Sequence, residues 1–426
     1  MESKAGKRIL TVAEDRELNQ PMIEEFKKAA EARGWGFQQL TKLNSDQLAR
    51  YDFSGISLDY VVYRALSKND YTESERLLFY LKKNNKIVIN ADAAGARNCT
   101  SDKHFQQGLF MLDPFLKDYA LPTFMAKHKA NVMSYINGKR VHFPILLKQR
   151  YGTIGKDIYM IKKEEDLDKI QNYSYYAIEQ YVEPECDWRV FVVGGTAVGI
   201  MRKYGDPKHM DNFLVWSSGR IRKKEDDPDV IEELAKIACR TAAVSRLEYA
   251  GIDILRDKKT KKYYILETNF AAGWMNGFTQ VTGVNIPEIV IDWFDDRGDA
   301  KEQPVNVVVK NYIERRKEYL SRATRDYYDR ILSGEKGITK NLEEYFKYEP
   351  AKYLCDTGTI FKKLSEAFKD LTESKTPKDH RPLIEEINQM PLSWTGNFIG
   401  PETGTIEEGA ILAALYLFIL GKIDKV

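Results

Sequence analysis

The stretch Tyr249–Phe270, YAGIDILRDKKTKKYYILETNF, carries two apolar runs on either side of a strongly basic turn, Asp257 to Lys262. Two such runs about a short turn pair as an antiparallel hairpin. Reflection about the turn sets Asp253 close to opposite Glu267, and the two-residue period of a strand puts Asn269 on the same face as Glu267. Two carboxylates and an amide oxygen on one face make a hard-oxygen site, of the kind Mg²⁺ takes when substrate phosphates complete its octahedron.

Working outward, FPILLKQRYGTIGKD (Phe143 to Asp157) runs an apolar strand into Lys148 and then a glycine-containing loop. Gly152 and Gly155 let backbone N–H groups come close to a phosphate, and Lys148 adds a compact positive charge. GxxxxGK[ST] occurs nowhere in the chain, so this is not a Walker loop. Downstream, AIEQYVEPECDWRV brings a strand, Ile178 to Val182, into a turn at Pro184, with Asp187 and Arg189 beyond it. Such a junction can offer backbone groups to an adenine edge and an acid to a ribose.

Residues 1 to about 95 alternate strand and helix patterns: Ile9 to Ala13, a helix from Pro21 to Arg33, Phe37 to Leu40, Tyr60 to Tyr63, a helix over Glu73 to Lys83, and Ile87 to Ile89. Alternation of this kind predicts an open, mostly parallel α/β sheet. No GxGxxG follows the first strand, which argues against a dinucleotide site there. From 96 to 298 the pattern becomes α+β, with strands at Pro144–Leu147, Ile158–Ile161, Tyr176–Gln180, Arg189–Val193, Ala197–Met201, Gly251–Leu255 and Tyr263–Glu267, and a helix over Asp229–Ser245. The charged stretch before Pro304 reads as a boundary, and residues 305–426 read as a mainly helical extension. Its apolar run, Ala410 to Leu420, is too short to cross a bilayer and predicts a buried helix.

The chain has 426 residues, 43% hydrophobic and 12% aromatic, with 65 Lys+Arg against 63 Asp+Glu. That is ample for several cores and too evenly charged for electrostatics alone to favour a nucleic acid or an anionic membrane. The four cysteines are far apart, form no CxxC pair and, with five scattered histidines, give no zinc spacing, so they read as reduced thiols. The N-terminus lacks the apolar core of a signal peptide, and the expected location is cytoplasmic.

The order of these pieces resembles the ATP-grasp superfamily, most closely the RimK-like ligases that add glutamate to a protein C-terminus. The resemblance covers about residues 88 to 297 and does not reach the last 120 or so. It implies an ATP-grasp fold whose two subdomains clamp ATP. By the same likeness Lys103 and Lys148 contact the nucleotide phosphates, and Gly152, Thr153 and Gly155 lie in the loop that closes over them. Gln180, Tyr181 and Val182 read adenine, Asp187 takes the ribose, and Asn212 lies in the nucleotide site. Arg202 and Lys203 act as the basic pair on the transferring phosphate, and Asp253, Glu267 and Asn269 bind two Mg²⁺ ions, with Mn²⁺ as an alternative. Two departures stand out. The family's N-x-S-P-G is here Asn269-Phe-Ala-Ala-Gly273, a change where the acceptor substrate binds, and its usual Gln-Glu is here Glu179-Gln180.

Gly273 and Trp274 are candidates to line the acceptor pocket, Arg220 to Lys224 reads as a solvated basic face, and Cys186 as an inert thiol. The implied activity is ATP-dependent ligation of a carboxylate to an amine, on a small molecule or a peptide, with a homo-oligomer left open. The alternatives are an ATP-grasp kinase acting on a hydroxyl and a non-catalytic nucleotide-binding regulator.

Overall fold

The computed structural model describes residues 9–13, 20–40, 59–63, 86–90, 102–151, 158–204, 221–275, 277–302, 305–317, 320, 322–340, 357–388 and 406–423. Three sheets organise them. The first is parallel, in the order β2-β1-β3-β4, from β1 (Ile9–Ala13), β2 (Gly36–Leu40), β3 (Tyr60–Tyr63) and β4 (Ile87–Ile89). Helix α1 (Gln20–Ala32) packs on it through Ile23, Phe26 and Ala30, as the sequence alternation predicts. The expected helix over Glu73–Lys83 lies outside the described residues.

The second sheet is antiparallel, order β5-β8-β6-β7: β5 (Thr123–Phe124), β6 (Ile145–Gln149), β7 (Ile158–Ile161) and β8 (Tyr176–Gln180). One face carries Ile145, Leu147 and Ile178 into a small core with Val132 of α3 (Lys129–Asn137). Strand alternation sends Lys148 and Glu179 to the other face.

The third sheet is also antiparallel, order β11-β10-β9-β12-β13: β9 (Pro184–Val193), β10 (Thr196–Tyr204), β11 (Ile221–Lys224), β12 (Tyr249–Asp257) and β13 (Tyr263–Asn269). The β9–β10 turn is Gly194-Gly195; at Gly194 φ is +56° and a Cβ would lie 2.5 Å from Trp293 Cδ1, so only glycine fits. Helix α4 (Pro228–Val244) covers one face with Leu234, Ile237, Ala238 and Ala242. Its start is fixed by Asp227, whose side chain accepts from the N–H groups of Asp229 and Val230, with Pro228 at the first helical position.

Helix α2 (Lys103–Leu112) runs along the outer edge of β13. Buried Gln106 mimics a further strand there: its amide donates to Thr268 O (3.1 Å) and accepts from Thr268 N (3.0 Å). Gln107 donates to Ile265 O at 2.8 Å. These contacts satisfy edge groups that would otherwise be exposed or orphaned.

After α5 (Phe278–Thr282), α6 (Ile286–Glu302) crosses the boundary expected near residue 298. Its Val290, Trp293 and Phe294 share a core with α1, β3 and Trp274. Helices α7 (Val305–Arg316), α8 (Arg322–Leu332), α9 (Thr357–Glu373), α10 (Arg381–Asn388) and α11 (Ile406–Ile423) build a separate core, and Ala410–Tyr416 of α11 is buried within it. Among the described residues no helix is long and apolar enough to cross a membrane.

Candidate active site

The β12–β13 hairpin turns where the sequence places the turn. The Asp257 carboxylate accepts from Lys259 N (3.0 Å) and Thr260 Oγ1 (2.6 Å), and Asp257 N donates to Lys262 O (2.9 Å). In the resulting register Asp253 stands opposite Glu267 and Gly251 opposite Asn269. The Asn269 amide reaches Asp253 Oδ2 and Glu267 Oε1, both at 3.2 Å.

The neighbouring strands bring cations to the same face. Arg189 of β9, paired with Asp253, grips both its oxygens, Nε to Oδ1 at 2.7 Å and Nη2 to Oδ2 at 2.5 Å. Lys203 of β10 is 7% exposed and lies 3.0 Å from Asp253 Oδ1 and 3.4 Å from Asp187 Oδ2. Lys103, at the start of α2, lies 3.6 Å from Glu267. Burial alone would push the Asp253 carboxyl up; the charges of Arg189 and then Lys203, with their hydrogen bonds, outweigh it and hold the carboxyl well below the usual carboxylate range. Gly251 makes room for this grip, since a Cβ there would meet Ala272 Cβ at 2.6 Å and Arg189 Cδ at 3.0 Å.

Arg189 is the site residue that the sequence pattern alone does not single out. Its signal is nonetheless present in Asp187-Trp-Arg189, two charges at strand spacing flanking a residue of the opposite face. The same alternation separates the two residues of the expected basic pair. β10 extends to Tyr204, so Arg202 and Lys203 point to opposite faces. Arg202 lies on the α4 side, its guanidinium 5.5 Å from the Trp188 ring, 4.7 Å from the Tyr204 ring and 3.8 Å from the Glu225 carboxylate. Lys203 alone of the two joins the carboxylates. Trp274 is likewise no wall of an open pocket: it is 1% exposed and packs edge-on against Phe26 of α1 and Tyr249. Gly273, half-buried beside it, is placed so that a Cβ would meet Met22 Sδ at 3.7 Å.

On the second sheet, Lys148 lies 2.5 Å from Glu179, which is 0% exposed. Gln180 fastens the end of β8 to the approach of β6, its amide donating to His142 O and Pro144 O and accepting from His142 N. Tyr181 N donates to Pro144 O, and Tyr181 and Val182 are half-buried. Asp187 is buried in the third sheet, beside Lys203. Gly152, Thr153, Gly155 and Asn212 lie outside the described residues.

No group of three or more His, Cys, Asp or Glu gathers for a metal among the described residues. The site here has two carboxylates and an amide, a donor set that fits a hard divalent cation completing its shell with phosphate and water oxygens.

A four-stranded antiparallel sheet bearing Lys148 and a five-stranded sheet whose hairpin carries D…ExN frame the candidate site. Residues 119–294 match the family model of the RimK-like ATP-grasp domain. Among individual proteins, the chain is 30% identical over 159 residues to the tetrahydromethanopterin:alpha-L-glutamate ligase of Methanocaldococcus jannaschii, spanning 34% of this chain and 52% of that one. It is 24% identical over 180 residues to the coenzyme gamma-F420-2:alpha-L-glutamate ligase of Methanococcus maripaludis, spanning 40% and 59%. The chain thus spans about half the length of the curated relatives it matches. Among solved structures, the ATP-grasp ligase PsnB complexed with a phosphomimetic variant of its minimal precursor, Mg and ADP superposes with a TM-score of 0.50 at 18% identity, over 68% of this chain and 98% of that one. That likeness is one of fold.

Proposed function

We propose that this protein is an ATP-dependent carboxylate–amine ligase working through an acyl phosphate. The observation that supports it most is the convergence of Asp253, Glu267 and Asn269 with Arg189, Lys203 and Lys103 on one face of the third sheet. Hard oxygen donors and cations side by side suit a polyphosphate together with its metal.

In this reading Gln180, Tyr181 and Val182 border adenine, Asp187 faces the ribose, and the phosphates are reached by Lys148 from the second sheet and by Lys103 from the start of α2. Gly152, Thr153 and Gly155 close over them, and Asn212 completes the nucleotide site. Mg²⁺, or Mn²⁺ in its place, would be held by Asp253, Glu267 and Asn269 and would neutralise charge on the phosphates. A substrate carboxylate oxygen attacks the γ-phosphorus, the bond to the β-bridging oxygen breaks, and ADP leaves. The amine nitrogen then attacks the acyl carbon, the carbon–oxygen bond to phosphate breaks, and the amide forms as phosphate and a proton depart. Lys203 and Arg189 take the place expected of the Arg202–Lys203 pair beside the transferring phosphoryl group. The chain's share is alignment and charge compensation. Exclusion of water falls to the 152–155 loop, because an acyl phosphate hydrolyses readily.

The curated relatives' names favour glutamate as the amine and a small molecule bearing the carboxylate, with a peptide carboxylate as the other substrate class to test. The residues from 1 to 95, from 96 to 298 and from 305 to 426 are proposed as N-terminal, ATP-grasp and helical units. The test supplies ATP and a panel of carboxylates with glutamate. Stoichiometric ADP and phosphate with a new amide, and a hydroxamate when hydroxylamine replaces the amine, are expected. Retention of labelled γ-phosphate on a stable organic product, without hydroxamate, would instead establish a kinase.

A further inference from the structure

The carboxylates of the site are already matched by protein cations. Asp187, Asp253 and Glu267 carry three negative charges, and Lys103, Arg189 and Lys203 carry three positive ones within 3.6 Å of them, so the described cluster is neutral. Both oxygens of Asp253 are engaged by Arg189, and one of them by Lys203 as well. Gly251 leaves the Arg189 side chain its space, since a Cβ there would meet Arg189 Cδ at 3.0 Å.

We infer that Arg189 is a resident cation in the seat of Asp253, so that this site refuses a free divalent ion and admits one only together with a polyphosphate. This rests on the ligase reading for the metal role of Asp253 and Glu267. Alone, a divalent cation meets a neutral cluster and must compete with a half-buried bidentate guanidinium for the same two oxygens. A nucleotide changes both sides of that balance. Its phosphates bring negative charge to which Arg189, Lys203 and Lys103 can turn, and the turning frees Asp253. Arg189 is thereby a positioning residue that exchanges one anion for another, coupling metal entry to nucleotide entry without a moving domain. A site of this kind would also resist capture by the wrong divalent ion in the absence of substrate.

The experiment titrates full-length protein with Mn²⁺ and follows the free-ion signal by electron paramagnetic resonance, with and without a non-hydrolysable ATP analogue. Wild type should bind Mn²⁺ weakly alone and much more tightly with the analogue. Arg189→Met leaves the cluster one charge negative and Asp253 open, and should bind Mn²⁺ alone at least about tenfold more tightly than wild type. That is a modest floor for removing a unit charge a few ångströms from a divalent ion. Arg189→Lys keeps the charge and should stay close to wild type. Should Arg189→Met fail to fold, Lys203→Met removes a neighbouring cation and is expected to move metal-only binding in the same direction. Tight Mn²⁺ binding by wild type without nucleotide, or no gain in the folded variants, would overturn the inference. Failure of wild type to bind the analogue would sink the ligase reading, while the metal-only comparison would still decide this one.

Discussion

Lys148 shows how a single residue can carry two duties. From the sequence it is a phosphate contact at a strand end, and Lys148→Ala would be expected to spare the fold. The structure adds Glu179, 2.5 Å away and 0% exposed, which that substitution would strand as a buried charge. Breaking a buried pair from one side costs about 3–5 kcal/mol. Lys148→Ala should therefore lower the melting temperature markedly, and Lys148→Ala/Glu179→Gln should recover most of it while nucleotide affinity stays low. A double variant that melts like the single one, or binds ATP analogue like wild type, would contradict this. Asp102 gives a pH-dependent case. Burial alone would raise its carboxyl, but Arg150 and the N–H groups of His104 and Phe105 hold it below its usual value. A depressed carboxyl contributes stability above its unfolded pKa, about 3.9, and loses that contribution as pH falls through the lower folded value. Asp102→Ala removes a helix cap and an ion pair, so it should destabilise by about 1–2 kcal/mol at pH 7. The gap from wild type should stay constant down to about pH 5 and narrow below about pH 4, as thermal melts across that range would reveal.

At the scale of elements, the legible parts of the site were those set by period and turn. Opposition of Asp253 and Glu267 follows from counting back from a turn whose residues announce it, and the register bears that out. The pairing of Arg202 with Lys203 comes from the family likeness and not from strand period, and the sequence pattern, which ends β10 at Met201, does not separate the two. Once the strand reaches Tyr204, alternation separates them. Trp274 was illegible for another reason. Its burial comes from Phe26, about 250 residues earlier in the chain, a contact no local pattern encodes. The edge role of α2 belongs here as well. Gln106 both donates to and accepts from the backbone of Thr268, between the two hairpin residues that face the site. Gln106→Leu fills the same space but orphans two buried backbone groups, at roughly 1–3 kcal/mol each. It should speed hydrogen exchange at the Thr268 amide and weaken Mn²⁺–nucleotide binding through Glu267 and Asn269. Unchanged exchange there would show that β13 keeps its edge without α2.

At the scale of the whole molecule, the three sheets and the helical extension differ in how their cores are shared, and this gives opposite expectations for the two ends of the chain. The N-terminal sheet has no core of its own among the described residues. Ile23, Phe26 and Tyr60 are buried against Phe191, Tyr249, Trp274 and Phe294. Asn90, at the end of β4 with φ of 58°, is 1% exposed and stitches the sheets together: its amide donates to Tyr249 O (2.7 Å) and Phe270 O (2.9 Å), and accepts from Tyr249 N (2.8 Å). Those bonds bracket the hairpin that carries Asp253 and Glu267, so docking of the first sheet also fixes the ends of the site's two central strands. The helices after residue 305 instead bury Val309, Ile331, Leu364, Phe368 and Leu415 among themselves. Removing residues 1–95 should therefore expose Tyr249 and Trp274 and give an insoluble or molten chain, with lost near-ultraviolet dichroism. A chain ending at residue 302 should keep a cooperative melt and bind nucleotide, since among the described residues neither the shared core nor the site draws on the C-terminal helices. If the shortened C-terminal form unfolds while the N-terminal deletion survives, the division of cores described here does not govern the stability of this protein.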